Sequence, residues 1–174
     1  FVKEPPTPAE LDFEHAAGLL LVGGTAADLV ATAGVGSGDV VLIHGGAGAV
    51  GTIAVQLAVR AGASVIATAS PANHTFLAGL GAVPVAYGPG LLDRVTDAAT
   101  GPVTASVDTV GTDEAIDTSL ALHAADRIVS IAAFGRADDG IVLLDGSTAD
   151  SKRHRSDACL LYTSPSPRDR GCFR

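Results

Sequence analysis

The sequence of 174 residues predicts an α/β fold, a doubly wound parallel sheet with helices on both faces. Three observations support this prediction. Short runs of apolar, often β-branched residues recur along the chain, as expected for strands buried on both faces of a parallel sheet. Segments with the apolar period of a helix separate these runs. Glycines such as Gly62 and Gly81 follow the helical segments, where helices commonly end. Strands that alternate with helices in this way form parallel sheets through right-handed crossovers.

Two helices are predicted before the first strand. The first covers residues 12–21, after a proline-rich lead-in. Gly23 and Gly24 are expected to end it, because glycine is unfavourable inside a helix. Thr25 then has the position of an N-cap for a second helix over residues 25–34.

Six strands are predicted, most of them joined by helices. The first strand, at residues 40–44, is the uninterrupted apolar run VVLIH. The helix after it, at residues 50–61, carries one apolar stripe that would pack on the sheet. The other strands are predicted at residues 64–68, 83–86, 104–108, 127–132 and 141–144, and the other helices at residues 71–80, 91–99 and 112–120. This arrangement favours the strand order 3-2-1-4-5-6 of a Rossmann fold.

The composition excludes several classes of protein. A net charge of −8 disfavours nucleic acid and anionic membranes as partners. A hydrophobic content of 47% with 17% charged residues indicates a folded rather than a disordered chain. The sequence shows no signal-peptide pattern and no apolar run of membrane length. We therefore expect a cytoplasmic protein that acts on a small molecule.

Residues 151–174 differ in composition from the rest of the chain. This segment is basic and holds both cysteines, whereas the first 150 residues are acidic. Residues 159–169 read CLLYTSPSPRD and resemble the translation of an adapter used to prepare sequencing libraries. We therefore expect one domain over residues 1–150 and a non-native or disordered tail over residues 151–174. The chain begins at Phe1 and contains no Met, so we expect a truncated fragment of a larger protein.

Residues 46–51 read GAGAVG, a G-x-G-x-x-G pattern that directly follows a predicted strand and opens a predicted helix. In that context the pattern indicates a dinucleotide-binding loop. Gly46 would allow the tight turn, Gly48 would let the backbone approach a pyrophosphate, and Gly51 would let the helix lie close to the strand. The N-terminus of the helix would attract the phosphate charge.

The end of the second predicted strand points to NADP(H) as the cofactor. NAD-binding domains carry a carboxylate there, which binds the ribose 2′-hydroxyl and repels a 2′-phosphate. Residues 68–71 read TASP and contain no carboxylate. No arginine is present there either, and His74 is the one side chain nearby that could carry positive charge.

The sequence resembles the medium-chain dehydrogenase/reductase superfamily, in its zinc-independent quinone oxidoreductase (zeta-crystallin-like) branch. The matching stretches are FEHAAGLLLVGGTA, VLIHGGAGAVGTIAVQLA, GASVIATASPANHTFLAGLGA, VDTVG and RIVSIA, and together they span most of residues 13–135. Two positions depart from the usual pattern. Leu20 replaces a common proline, and Ala72 stands where the loop that binds the 2′-phosphate is often basic.

The resemblance implies a cofactor site built from several loops. Residues 47–50 would hold the pyrophosphate, and Ser70, Asn73 or His74, and Tyr87 would surround the 2′-phosphate. Residues 109–111 would flank the adenine and ribose, and residues 131–133 would lie beside the nicotinamide. The implied cofactor-binding residues are Thr25, Gly46, Ala47, Gly48, Ala49, Val50, Gly51, Ser70, Asn73, His74, Tyr87, Thr109, Val110, Gly111, Ile131, Ala132 and Ala133. The sequence assigns no catalytic residue, and its histidines and cysteines show no zinc-ligand spacing.

The implied activity is transfer of hydride from NADPH to a quinone or an α,β-unsaturated carbonyl. In the family, a second, GroES-like domain forms the other wall of the substrate cleft, so we expect the fragment alone to be inactive. The full-length parent would be a possible homodimer. Two alternatives stay open: a non-enzymatic NADP(H)-binding relative, and the enoyl-reductase module of a polyketide synthase.

Overall fold

The computed structural model describes residues 13–163 except Ala124, and side chains over residues 21–157. Its centre is a parallel sheet of six strands in the order β3-β2-β1-β4-β5-β6. The strands are β1 (Val40–His44), β2 (Ser64–Thr68), β3 (Val83–Val85), β4 (Ala105–Asp108), β5 (Ile128–Ser130) and β6 (Val142–Leu143). The predicted α/β Rossmann fold and its strand order are therefore confirmed.

Helices fill most of the connections between the strands. They are α1 (Phe13–Thr32), α2 (Ala49–Arg60), α3 (His74–Gly79), α4 (Leu91–Ala98), α5 (Asp113–Leu122) and α6 (Ala149–Thr163). Short 3-10 turns lie at Pro71–Asn73, Ala125–Arg127 and Phe134–Asp139. The predicted helix at residues 71–80 is thus a 3-10 turn followed by α3.

Both faces of the sheet are covered by apolar side chains. On one face, Val41 and Ile43 of β1 join a cluster with Leu29 of α1 and Val55 of α2. On the other face, Leu42 of β1 packs in a separate cluster with residues of α4. All five residues of β1 are buried, which explains why this strand is an unbroken apolar run in the sequence.

The prediction of two helices before the sheet is wrong, because α1 is one continuous helix. Thr25 lies inside it and donates its hydroxyl to the carbonyl of Leu21, at 2.8 Å, rather than capping a new helix. Gly24 lies against α6, because a Cβ built there would be 3.4 Å from Cγ of Arg155. Gly24 therefore serves a close contact between α1 and α6, and the packing gained there outweighs the poor helix propensity of glycine.

The domain boundary predicted at residue 150 falls in the first turn of α6. Residues 151–163 of the segment predicted to be a non-native or disordered tail belong to α6, and the remaining residues of that segment lie outside the described part. His154 donates from Nδ1 to the buried carboxylate of Asp28 at 2.9 Å, and Arg155 donates to Thr25 at 2.7 Å. The non-native origin of this segment stays a prediction.

An ion pair ties together the amino-terminal edge of the sheet. The guanidinium of Arg127 donates to both carboxylate oxygens of Asp39, at 2.9 and 3.1 Å. It also donates to the carbonyls of Ala33 and Gly34, which follow α1. Thr104 donates its hydroxyl to Asp39 at 2.6 Å. These hydrogen bonds hold the pKa of Asp39 well below its usual value, with the bond from Arg127 as the largest cause.

Candidate functional site

The loop between β1 and α2 makes a tight turn, which the amide of Gly48 closes by donating to the carbonyl of Gly45 at 2.9 Å. Gly45 has a φ of +76°, and a Cβ there would lie 2.6 Å from Oγ1 of Thr109. Gly46 is a central residue of this turn, and its Cβ would lie 2.7 Å from Cβ of Ala67 in β2. Gly46 therefore lies within the tight turn and also lets the loop lie against β2.

Gly51 allows α2 to lie directly on this loop. A Cβ at Gly51 would fall 2.1 Å from the carbonyl oxygen of Gly45. Gly48 is the N-cap of α2, so the helix begins within the glycine pattern. Because the first N–H groups of a helix have no acceptor inside it, the amides of residues 49–51 can bind an anion.

Two strand ends hold the loop in place. At the end of β2, the hydroxyl of Thr68 accepts from the amide of Gly45 at 3.0 Å, and the carbonyl of Thr68 accepts from the amide of Gly46 at 2.9 Å. At the end of β4, Thr109 donates its hydroxyl to the carbonyl of His44 at 2.8 Å. The glycine loop is thus fixed from both sides by neighbouring parallel strands.

A buried carboxylate joins the loops that follow β4 and β5. Asp108 is fully buried and accepts from the amides of Val110 and Gly111, at 3.0 and 3.1 Å. Ser130 donates its hydroxyl to Asp108 at 2.5 Å and accepts from the amides of Ala132 and Ala133. Besides Thr109, five predicted site residues lie on these two loops: Val110, Gly111, Ile131, Ala132 and Ala133.

A cavity of about 610 Å³ opens at the carboxyl ends of the strands, where doubly wound folds bind ligands. Six predicted residues line it: Ala47, Gly48, Ser70, Asn73, Tyr87 and Val110. The other lining residues were missed: His44, Gly45, Thr68, Ala69, Leu91, Thr112, Glu114 and Ala115. Several of these are strand ends or helix starts, and only their tertiary position brings them to the cavity.

The other predicted residues are not among those that line the cavity. Thr25 is on α1, where it contacts Arg155. His74 hydrogen-bonds through Nε2 to the carbonyl of Ala69, at 3.3 Å. The remaining ones belong to the glycine loop and to the loops after β4 and β5: Gly46, Ala49, Val50, Gly51, Thr109, Gly111, Ile131, Ala132 and Ala133.

His44 is a buried histidine in the cavity wall. Its Nε2 lies 3.0 Å from Oγ of Ser119. Ser119 donates its own hydroxyl to the carbonyl of Ala115, so His44 must donate to Ser119 from a protonated Nε2. Burial lowers the pKa of His44 to about 4, although the charges of Asp108 and Glu114 oppose this shift. His44 is therefore a neutral imidazole near pH 7.

We expect the chain to lose stability between pH 6.5 and pH 4 because of His44. In the unfolded chain this histidine takes up a proton near its usual pKa of 6.5, whereas in the folded chain its pKa is about 4. The unfolded state therefore binds more protons in this range, and the free energy of unfolding should fall by about 2–3 kcal/mol as the pH drops. Urea unfolding at several pH values should show a flatter profile for His44→Gln. An unchanged slope in that variant would contradict the assignment.

The described part of the chain does not fit a metal ion. Among its side chains, no group of three or more His, Cys, Asp or Glu residues is placed to hold one. Within the same residues, no helix combines the length and the apolar character needed to cross a bilayer.

The parallel sheet, the glycine loop before α2 and the cavity at the strand ends define a nucleotide-binding domain of the Rossmann class. Residues 49–164 match the family model described as zinc-binding dehydrogenase, which is more than half of the chain. The chain belongs to this family, within the medium-chain dehydrogenase/reductase superfamily. The resemblance read from the sequence is therefore confirmed at the level of the superfamily.

Two polyketide synthases are among the curated relatives. An erythronolide synthase of Saccharopolyspora erythraea is 59% identical over 49 residues, which are 28% of this chain and 1% of that protein. A spectinabilin polyketide synthase protein of Streptomyces orinoci is 47% identical over 77 residues, 44% of this chain and 4% of that protein. The chain thus corresponds to a small part of each synthase.

Solved structures share the fold over most of the chain. The quinone oxidoreductase of Coxiella burnetii is 34% identical with a TM-score of 0.68, and the match covers 90% of this chain and 51% of that one. The enoyl reductase CurK is 26% identical, with a TM-score of 0.75 and coverages of 96% and 55%. A mycobacterial protein complexed with NADPH is 28% identical, with a TM-score of 0.71 and coverages of 89% and 53%. The chain spans about half the length of these structures.

Proposed function

We propose that this chain is the NADP(H)-binding half of a reductase that acts on a quinone or an α,β-unsaturated carbonyl. The observation that carries the proposal is the end of β2. Ser70 and Asn73 line the cavity there, and no carboxylate is present at this strand end. The side-chain amide of Asn73 donates to the hydroxyl of Ser70 at 3.2 Å. Hydroxyl and amide groups can donate to a 2′-phosphate, whereas a carboxylate would repel it.

The chain's own groups would bind and orient the cofactor. The amides at the start of α2 would hold the pyrophosphate. The exposed ring of Tyr87, in the cavity wall, would lie beside the ribose phosphate. Of the two loops joined by Asp108 and Ser130, the one after β4 would flank the adenine and ribose, and the one after β5 would lie beside the nicotinamide. When bound, the nicotinamide supplies the hydride. We assign no step to zinc, because the described residues do not fit a metal ion.

The enoyl-reductase module of a polyketide synthase is a second candidate. It is favoured by the two synthases among the curated relatives and by the likeness to the enoyl reductase CurK. Such a module would reduce an enoyl group by the same hydride transfer. Sequencing the genomic region around the coding sequence distinguishes the two: a continuous synthase reading frame supports the module, and a short separate gene supports a free-standing reductase.

We also propose that the parent protein is cytoplasmic and forms a homodimer, and that this chain has no turnover without the second domain of the family. A non-enzymatic NADP(H)-binding relative is the remaining alternative. An intact substrate cleft in the full-length parent would favour the enzyme over that relative.

We expect the chain to bind NADPH more tightly than NADH in a calorimetric titration. Ser70→Asp should weaken NADPH binding by about tenfold or more, since it places a charge beside the 2′-phosphate, and it should leave NADH binding nearly unchanged.

Thr100→Asp is the matched control. It adds the same charge in the exposed loop before β4, at the amino-terminal ends of the strands and therefore away from the cavity. Equal affinity for both cofactors, or tighter NADH binding, would contradict the proposed NADP(H) preference. Binding of neither cofactor would contradict the nucleotide-binding role itself.

A further inference from the structure

Glu114 lies in the first turn of α5 and forms part of the cavity wall. Its Oε2 accepts from the amide of Gly88, at 2.9 Å, in the loop between β3 and α4. The side chain therefore spans two elements that border the cavity, and it is half-buried. Nothing in the proposed binding of the pyrophosphate or the 2′-phosphate uses this carboxylate.

An ionised carboxylate accepts hydrogen bonds and donates none, with about four acceptor positions. One position of Glu114 is taken by the amide of Gly88. Because Glu114 also lines the cavity, its other positions are available to a ligand there. They suit a ligand group that donates, such as an amino group, and they repel a phosphate.

The cavity wall thus separates two kinds of polar group. The amides of the glycine loop, Ser70 and Asn73 can donate and therefore suit phosphates. Glu114 accepts, and it has apolar neighbours in the wall, the buried residues Leu91 and Ala115. Apolar surface with one acceptor suits a flat base whose edge carries a donor.

We propose that Glu114 recognises the exocyclic amino group of the cofactor's adenine and thereby selects adenine over bases with a carbonyl at that position. This inference rests on the proposed binding of a nicotinamide dinucleotide. Adenine presents an N6 amino donor, whereas hypoxanthine presents an O6 acceptor at the same place. A carboxylate that faces O6 could form no hydrogen bond with it, because both groups are acceptors. The N1–H of hypoxanthine lies one ring atom away, so the base would have to shift to use it.

The test compares NADPH with reduced nicotinamide hypoxanthine dinucleotide phosphate in calorimetric titrations of the full chain. We expect the hypoxanthine analogue to bind about tenfold more weakly, because the carboxylate loses its donor. In Glu114→Gln the side-chain amide can donate to O6, and its oxygen can still accept from Gly88. The preference for adenine should then be lost or reversed, because the same NH2 group would oppose the N6 amino group of adenine.

Asp113→Asn is the matched control. Asp113 is the preceding residue of α5, its side chain is 84% exposed, and it pairs with Arg136 rather than lining the cavity. This variant should keep the discrimination between the two bases. If Glu114→Gln does not fold, as a thermal melt would show, Glu114→Ala provides the same comparison, and it should also lose the discrimination.

The outcomes separate this inference from the function on which it rests. Equal binding of both cofactors by the unsubstituted chain, or discrimination that persists without the carboxylate, would overturn the role of Glu114 and leave NADP(H) binding standing. Failure of the unsubstituted chain to bind either dinucleotide would overturn the proposed function as well.

Discussion

Replacing Gly51 by alanine will destabilise the domain by about 3 kcal/mol or more and abolish dinucleotide binding. The added methyl would lie 2.1 Å from the carbonyl oxygen of Gly45 and 2.8 Å from its carbonyl carbon. Both are backbone atoms in a loop that is hydrogen-bonded to β2 and to Thr109, so moving them would break those hydrogen bonds. The start of α2 would have to shift, and with it the amides that we expect to bind the pyrophosphate.

Gly79→Ala is the matched control for this prediction. A Cβ at Gly79, the last residue of α3, would have no atom within 4 Å. This change should leave binding intact and be neutral or stabilising by up to about 1 kcal/mol, since alanine favours a helix more than glycine. Urea unfolding and an NADPH titration measure both effects. A Gly51→Ala protein as stable as the Gly79→Ala protein would refute the packing role of Gly51.

Replacing Arg127 by alanine should lower the free energy of unfolding by about 3 kcal/mol. The change leaves the carboxylate of Asp39, whose side chain is 16% exposed, without its ion pair. It also removes the donors to the carbonyls of Ala33 and Gly34 that follow α1. Arg60→Ala, at the exposed end of α2, should change stability by less than about 0.5 kcal/mol.

The acid limb of the stability profile provides a second measurement on Arg127. Because the pKa of Asp39 is lowered in the folded chain, the ion pair contributes stability above the usual carboxyl pKa and loses it as the pH falls below about 4. This range lies below the one assigned to His44. Arg127→Ala should flatten the profile below pH 4 and leave the part between pH 4 and 6.5 unchanged. Identical acid limbs would contradict the role of the ion pair.

The strands were predictable because their short apolar runs fit a strand buried on both faces better than any other local structure. The run VVLI at residues 40–43 of β1 is apolar at every position, and burial of both faces of the strand accounts for that. The break predicted at Gly23 and Gly24 failed for the opposite reason. Local propensity is a weak signal, and contact between α1 and α6, which lie far apart in sequence, decides the conformation there.

The site was predictable where a local pattern expresses its geometry. The glycine pattern did so, although the one residue with a positive φ in this loop, Gly45, comes just before the six-residue motif. Glu114 was not predictable, because an acidic residue in the first turn of a helix is already explained by the helix dipole. Its hydrogen bond to Gly88 joins residues 26 positions apart, and no local pattern indicates such a contact. Ser130 was missed in the same way, since its partner Asp108 lies on the neighbouring strand.

The shared carboxylate of Asp108 makes the loops after β4 and β5 one mechanical unit. Four backbone amides and one hydroxyl are linked through Asp108 and Ser130, and both side chains are fully buried. Neither loop can shift without breaking a bond that has no water to replace it. The two loops, which would contact the two halves of an extended dinucleotide, are therefore held at a fixed distance from each other. The position of the reactive nicotinamide ring would then depend on where the distant adenosine binds.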